Sequence, residues 1–182
     1  MANPALKLEL GEYLCYSIYA ASHAFNRVYK PLLDRLNLTY PQYLVMVALW
    51  EQDDQTVGSL GAKLALDSNT LTPLLKRIES VGYIRRTRDA VDERQVKIRL
   101  TDAGQALRAE AASIPACVLE ASGLSIEDHR RLQEQIAALR NTLESYAAGA
   151  AKSNHNRVGE GVAAPVLPRH RMRRSASGGS SS

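Results

Sequence analysis

The chain has 182 residues, 45% apolar and 23% charged, with a net charge of +4 and two cysteines, a length that suits one domain with a sizeable core. It shows no apolar run long enough to span a bilayer and no basic-then-apolar leader, so no membrane contact is expected and the cytoplasm is the expected compartment. Thiols are kept reduced there, which leaves the cysteines for chemistry or packing and not for a permanent staple.

In chain order, Leu14, Ile18, Ala21, Phe25, Val28 and Leu32 recur at spacings of four and three. That predicts the buried stripe of one long helix, with Pro31 kinking its end. The same segment holds Cys15 among Tyr13, Tyr16, Tyr19 and Tyr29, and Tyr40 and Tyr43 follow. Thr39 can cap a second helix, with Pro41 near its first position and Leu44, Val47 and Ala48 on its inner face. Asp53-Asp54 ends it, and a shorter helix fits Val57 to Leu64. Asp67-Ser68-Asn69 is a dense cap signal. The helix it opens buries Leu71, Leu74, Leu75, Ile78 and Val81 until Gly82 stops it. Pro73 fits only near that helix's first turn.

The period then changes. Tyr83 to Arg88 and Gln95 to Leu100 read as two strands joined by a charged tip, Asp89 to Arg94. Thr101 caps a helix through about Ala121, bent at Pro115, with Leu107, Ala111, Ile114, Val118 and Ala121 on one face. Ser125 caps the last helix, where Leu132, Ile136, Leu139, Leu143 and Tyr146 repeat. From about Gly149 the periodicity stops, and residues 150–182, ending SASGGSSS, are expected to be a disordered basic tail. That tail holds six bases against one acid, so the body is slightly acidic despite the net +4. The tail either adds nonspecific affinity for nucleic acid or is inert.

The fold class expected is mainly α with a small β-hairpin wing. Positive charge in the body is local: Lys76, Arg77, Arg85, Arg86, Arg88, Arg94, Lys97 and Arg99 share one short stretch. This is the footprint of a nucleic-acid surface, with a merely solvated face as the plainer alternative. Residues of about 41–100 read as a winged helix-turn-helix whose second helix enters the major groove of double-stranded DNA. Its outward candidates are Ser68, Asn69, Thr70, Thr72, Pro73, Lys76 and Arg77. The hydroxyls and the amide serve bases or phosphates, while Lys76 and Arg77 hold phosphate. Arg86 joins them from the first strand. Arg94 at the wing tip suits the minor groove. Asp92 either orients Arg94 through a charge-assisted hydrogen bond or is half of a surface ion pair of little worth.

The segment DERQVKIRLTDAG, residues 92–104, resembles the wing signature of the MarR family: Asp-x-Arg, then Leu-Thr-x-x-Gly entering a helix. LALDSNTLTPLLKRIESVGYIRR, residues 64–86, resembles that family's recognition helix. With a cysteine in the first helix, the chain is especially similar to the organic-hydroperoxide-sensing branch (the OhrR type), over roughly residues 8–146. The resemblance implies one domain over residues 1–149, a homodimer joined by helices of about 8–36 and 102–146, and winged modules displayed outward. It also implies a repressor of a nearby detoxification gene, with an organic hydroperoxide as effector.

Within that branch the sensing cysteine sits in a leucine-cysteine-aromatic context, which Leu14-Cys15-Tyr16 matches. Tyr29 and Tyr40 match by position the two tyrosines that donate hydrogen bonds to its sulfur. Cys15 and Tyr29 are fourteen residues apart, about 21 Å along a straight helix. Tyr29 therefore either only packs or reaches Cys15 from the other chain, and the resemblance implies the second. A free thiol has a pKa of about 8.5, and phenolic donors and a helix amino-terminal end favour its reactive thiolate. Apolar neighbours favour organic or lipid peroxides over hydrogen peroxide. The family's two-cysteine members carry a resolving cysteine in the later dimer helices, which Cys117 matches. Otherwise Cys117 is a buried small hydrophobe beside Ile114 and Val118. A disulfide between them would re-space the winged modules away from half-sites about one helical turn apart.

His23 and His129 read as surface or boundary residues, not as ligands, and Trp50 as core. No spacing suggests a metal, no cofactor motif is present, and no nucleophile is paired with a base. An enzyme is not expected, because a thiol peroxidase would need the strand–helix alternation and C-x-x-C that are missing. Two other readings stay open. One is a family member released by a phenolic or other apolar ligand without thiol chemistry. The other is an architectural DNA binder with no effector.

Overall fold

The computed structural model describes residues 9–159 apart from 90, 91 and 93, with side chains to residue 150. A 3-10 turn, Leu10–Glu12, leads into α1 (Leu14–Asp34) and α2 (Tyr40–Glu51). A short strand β1 (Gln55–Thr56) precedes α3 (Val57–Leu64) and α4 (Ser68–Ser80). Strands β2 (Ile84–Arg88) and β3 (Val96–Leu100) are followed by α5 (Asp102–Ala111), α6 (Ile114–Ser122) and α7 (Ile126–Gly159). The chain divides into two compact units, one ending at His129 and the other starting at Arg130.

The mainly helical class with a small sheet is as expected, and side chains cap most helices. Gln42 Oε1 accepts the Thr39 N–H at 2.8 Å. Asp67 Oδ1 accepts the Thr70 N–H at 2.7 Å, Thr101 Oγ1 the Gly104 N–H at 3.0 Å, and Ser125 Oγ the Asp128 N–H at 3.1 Å. Each bond satisfies an amide that the first helical turn leaves unpaired. Pro73 sits sixth in α4, beyond the first turn, and α4 continues through it.

Several expectations are corrected. The hairpin is the larger part of a three-stranded antiparallel sheet, ordered β1-β3-β2, in which Gln55 faces Ile98 and Arg86 faces Ile98 from the other side. Two residues are too short a strand to leave a periodicity. The helix expected from Thr101 to Ala121 is two helices, because Pro115 enters the first turn of α6. Proline has no N–H for the carbonyl four residues back and its ring collides with it, so the chain breaks instead of bending. The inner face of α2 is Gln42, Tyr43, Val45, Met46, Ala48 and Leu49, while Leu44 and Val47 are only half-buried. The stripe on α1 is not buried in one chain. Leu14 is 60% exposed, Ile18 41% and Phe25 44%, and only Leu33 on this helix is buried. The last helix continues to Gly159, ten residues past the point where a tail was expected. Residues 160–182 of that tail lie outside the described residues.

The core joins α2 (Val45, Met46, Leu49), α3 (Leu60), α4 (Leu71, Leu75, Ile78), the sheet (Ile84, Ile98) and α5 (Leu107, Ala111). Gly104 locks α5 onto the turn between α4 and β2. A Cβ there would stand 1.9 Å from the Tyr83 carbonyl oxygen. That oxygen accepts the Thr101 N–H at 3.0 Å, and the Thr101 hydroxyl donates to the Gly82 carbonyl at 2.6 Å. Trp50, half-buried and not fully core, donates its indole N–H to the Gly104 carbonyl at 2.9 Å. The obstacle at Gly104 is backbone, so Gly104→Ala must push α5 off the sheet. The expected loss in denaturant unfolding is about 3 kcal/mol or more, the upper end of overpacking costs. An unchanged midpoint would show that α5 is not seated on this carbonyl.

Candidate nucleic-acid interface and thiol site

Helix α4 presents six of the seven residues expected to face outward. Ser68, Asn69, Thr70, Pro73, Lys76 and Arg77 are exposed, while Leu71, Leu75 and Ile78 hold the opposite side in the core. The Asp67 carboxylate caps α4, and the Thr70 N–H bond holds its pKa below the ordinary carboxylate value. Thr72 is half-buried and does not face outward with the rest. With Arg86 and Arg94 it lines a cleft of about 370 Å³ between α4 and the wing. Arg86 is half-buried, its Nε lies 3.8 Å from Glu79 Oε2, and that Nε has no hydrogen-bond partner.

At the wing tip, Asp92 contacts Arg94 differently from the expected bond. Asp92 Oδ1 accepts the main-chain N–H of Arg94 at 3.1 Å, and Oδ2 accepts the side-chain amide of Gln95 at 3.1 Å. The carboxylate therefore fixes the turn and leaves the Arg94 side chain exposed.

Besides Arg86 near Glu79, Lys97 and Arg99 of the basic stretch pair with acids of the same chain. Arg99 makes a two-pronged contact to Asp54, Nε to Oδ1 at 2.7 Å and a terminal nitrogen to Oδ2 at 2.9 Å. Lys97 Nζ reaches Asp89 at 3.0 Å and Asp54 at 3.8 Å. The Arg99 hydrogen bond lowers the Asp54 pKa, and the Asp89 hydrogen bond raises that of Lys97. Asp53 Oδ1 accepts the Leu100 N–H at 2.9 Å, tying the same corner to β3. Reading Asp53-Asp54 as a helix stop missed this, because their partners lie more than forty residues away.

Cys15 is an exposed free thiol in the first turn of α1. Cys117 is also free and exposed, on α6, and so is not the buried small hydrophobe of the plainer reading. Tyr29 and Tyr40 come together within one chain, with ring centres 4.6 Å apart. Tyr43, not singled out as a site residue, joins them at 6.0 Å from Tyr29 and stacks edge-on with Trp50 at 6.2 Å. Burial first, and then the neighbouring phenols, raise the Tyr29 pKa to about 12. Burial also raises those of Tyr40 and Tyr43. These phenols thus stay protonated as hydrogen-bond donors. His23 lies on the surface with its ring 4.4 Å from that of Tyr19, and His129 is exposed. Among the described residues there is no His/Cys/Asp/Glu cluster able to hold a metal and no helix long and apolar enough to cross a membrane.

The family model described as "Transcriptional regulator SarA/Rot" matches residues 27–110. The organic hydroperoxide resistance transcriptional regulator of Bacillus subtilis is 46% identical over 143 residues, covering 79% of this chain and 97% of that one. The solved structure of reduced AbfR bound to DNA is 37% identical with a TM-score of 0.66, over 76% of this chain and 94% of that one. Disulfide-formed AbfR is 41% identical with a TM-score of 0.51, over 71% and 91%.

The phenol cluster makes a pH prediction. The folded chain holds these protons more tightly than the unfolded chain, whose phenols ionise near pH ~10. The cluster's contribution to stability is therefore complete below about pH 10 and is lost as pH rises through the folded value of about 12. Tyrosinate absorbance should show late-ionising phenols in the folded protein, with one fewer in Tyr29→Phe. An unaltered titration in that variant would place the perturbed phenol elsewhere.

Proposed function

The chain belongs to the SarA/Rot, MarR-like winged-helix transcriptional regulators, and from that premise we propose a dimeric repressor that senses organic hydroperoxides through Cys15. The observation that carries this reading is an exposed thiol in the first turn of α1, in a chain 46% identical to a hydroperoxide resistance regulator. Regulation of transcription through DNA follows from the family.

Exposed apolar residues support the dimer. Leu14, Ile18 and Phe25 need cover on α1, and Leu132, Ile136, Leu143 and Tyr146 need it on α7. A second copy would supply that cover. It would also let Cys15 of one chain approach Tyr29 and Tyr40 of the other, which α1 forbids within one chain.

The chemistry balances in two steps. The Cys15 thiolate attacks the hydroperoxide O–O bond. An S–O bond forms, the O–O bond breaks, and the departing alkoxide takes a proton to leave as the alcohol, with sulfenic acid on the sulfur. The Cys117 thiolate of the other chain then attacks that sulfur, forming the S–S bond and expelling hydroxide, which leaves as water. The link would hold the winged modules at a spacing that no longer fits two half-sites. The fold superposes better on reduced, DNA-bound AbfR than on its disulfide form, with TM-scores of 0.66 and 0.51.

A second reading has its own observation. Ala21, Ala24, Phe25 and Val28 of α1 and Val118 and Ala121 of α6 help line an apolar groove of about 260 Å³. A phenolic or other apolar ligand there would release DNA without thiol chemistry.

Cys15→Ser separates the two: the thiol sensor stays on its operator when organic hydroperoxide is added, whereas a ligand sensor still lets go. Cys117→Ser should abolish the inter-chain crosslink on nonreducing gels yet leave Cys15 open to sulfenic acid labelling. A crosslink that persists in Cys117→Ser would remove Cys117 from the resolving role.

A further inference from the structure

We infer that Lys97 and Arg99 are positioning residues for DNA binding, holding the wing that carries Arg94 instead of gripping phosphate themselves. The inference rests on the DNA-binding reading of α4 and the wing, and adds a division of labour among the eight cations of the basic stretch.

The contacts form a chain of polar links from the end of α2 to the wing tip. Asp54 precedes β1 with a φ of 56°, a left-handed conformation that a non-glycine residue seldom adopts. There it takes both prongs of Arg99 and stands 3.8 Å from Lys97. Lys97 pairs with Asp89 Oδ2 at 3.0 Å, and the other Asp89 oxygen accepts the Asp92 N–H at 3.1 Å. Asp92 in turn accepts the Arg94 main-chain N–H at 3.1 Å. The Asp89 N–H and the Gln95 carbonyl close the hairpin at 2.9 Å. Each link fixes the next, from the α2–β1 corner to the backbone of Arg94.

Charge supports the same division. Two acids, Asp54 and Asp89, balance Lys97 and Arg99, so the group brings no net attraction to a polyanion. Asp89 side-chain exposure is 12% against 32% for Lys97, so the acid is enclosed by its own wing more than it faces solvent. A lysine free to bind phosphate would have to abandon its 3.0 Å contact with Asp89.

The test uses the full-length chain and a duplex that it selects from a random DNA library, with affinity measured across a range of salt concentrations. The decisive variant is Asp89→Asn. Removing an acid beside DNA should tighten binding if the acid only repels phosphate. The positioning role predicts about fivefold weaker binding with an unchanged slope of affinity against salt. Lys97→Met should behave alike, and the double variant should be little worse than either single one. Lys97→Arg, which keeps the pair, should hold wild-type affinity. As a reference, Lys76→Met should lower the salt slope by about one, as loss of a phosphate contact does. Tighter binding by Asp89→Asn, or a slope lowered by about one in Lys97→Met, overturns the inference. Thermal melts confirm that each variant is folded, and Asp89 and Lys97 can be tested separately if one of them is not. A wild-type chain that selects no duplex overturns the DNA-binding reading itself, a result distinct from wild-type binding beside a tighter Asp89→Asn.

Discussion

Cys15 and Tyr29 occupy one helix, and about 21 Å of hydrogen-bonded backbone separates them. No side chain spans that distance, and α1 has no break that could fold it back. Any partnership between this thiol and these phenols must join two chains. The requirement agrees with the exposure of Leu14, Ile18 and Phe25 on the same helix. A helix with an exposed thiol at one end, Tyr29 near the other and uncovered leucine, isoleucine and phenylalanine on it leaves an apolar face without cover.

The phenols are ready before any such neighbour arrives. Tyr29, Tyr40 and Tyr43 pack against one another and lose water, so each keeps its proton beyond the usual phenol range. A donor that keeps its proton at neutral pH is well suited to hold a negative sulfur, because it stabilises the charge without adding one. Tyr43 extends the cluster to Trp50, and Trp50 to the Gly104 carbonyl at the start of α5. The aromatic group thus touches the frame that seats the wing, and this contiguity gives a change at the phenols a packed route towards the DNA-reading unit.

In the wing, the counting of cations is a poor guide to what DNA meets. Eight basic residues in one stretch look like one surface. Three of them lie against acids: Lys97 against Asp89, Arg99 against Asp54, and Arg86 near Glu79. Exposed pairs of this sort add little to stability on their own. Their value lies in orientation, since a hairpin attached at one end needs a lateral tie to aim its tip.

Much of the fold was legible in the residue order, because caps, turns and helical periods are local. Thr39, Asp67, Thr101 and Ser125 announce their helices, and Asp-x-Arg before Leu-Thr-x-x-Gly announces the wing. Cys15, Cys117, Tyr29 and Tyr40 could be named as site candidates through resemblance, and α4's outward residues through its period. What stayed hidden was non-local. Strand β1 exists only by pairing with β3, Asp54 matters only through Arg99, and Tyr43 joins the phenols only because α1 crosses α2. The α1 stripe shows the limit most clearly: its period reveals an apolar face, but nothing in the order of residues says what covers it. Sequence by itself determined the elements, their caps and the types of chemistry available, since these depend on neighbours three or four residues away. The tertiary structure alone decided which charges are neutralised, which phenols lose their water and which apolar face stays uncovered, because each of those depends on groups that meet only when distant segments pack.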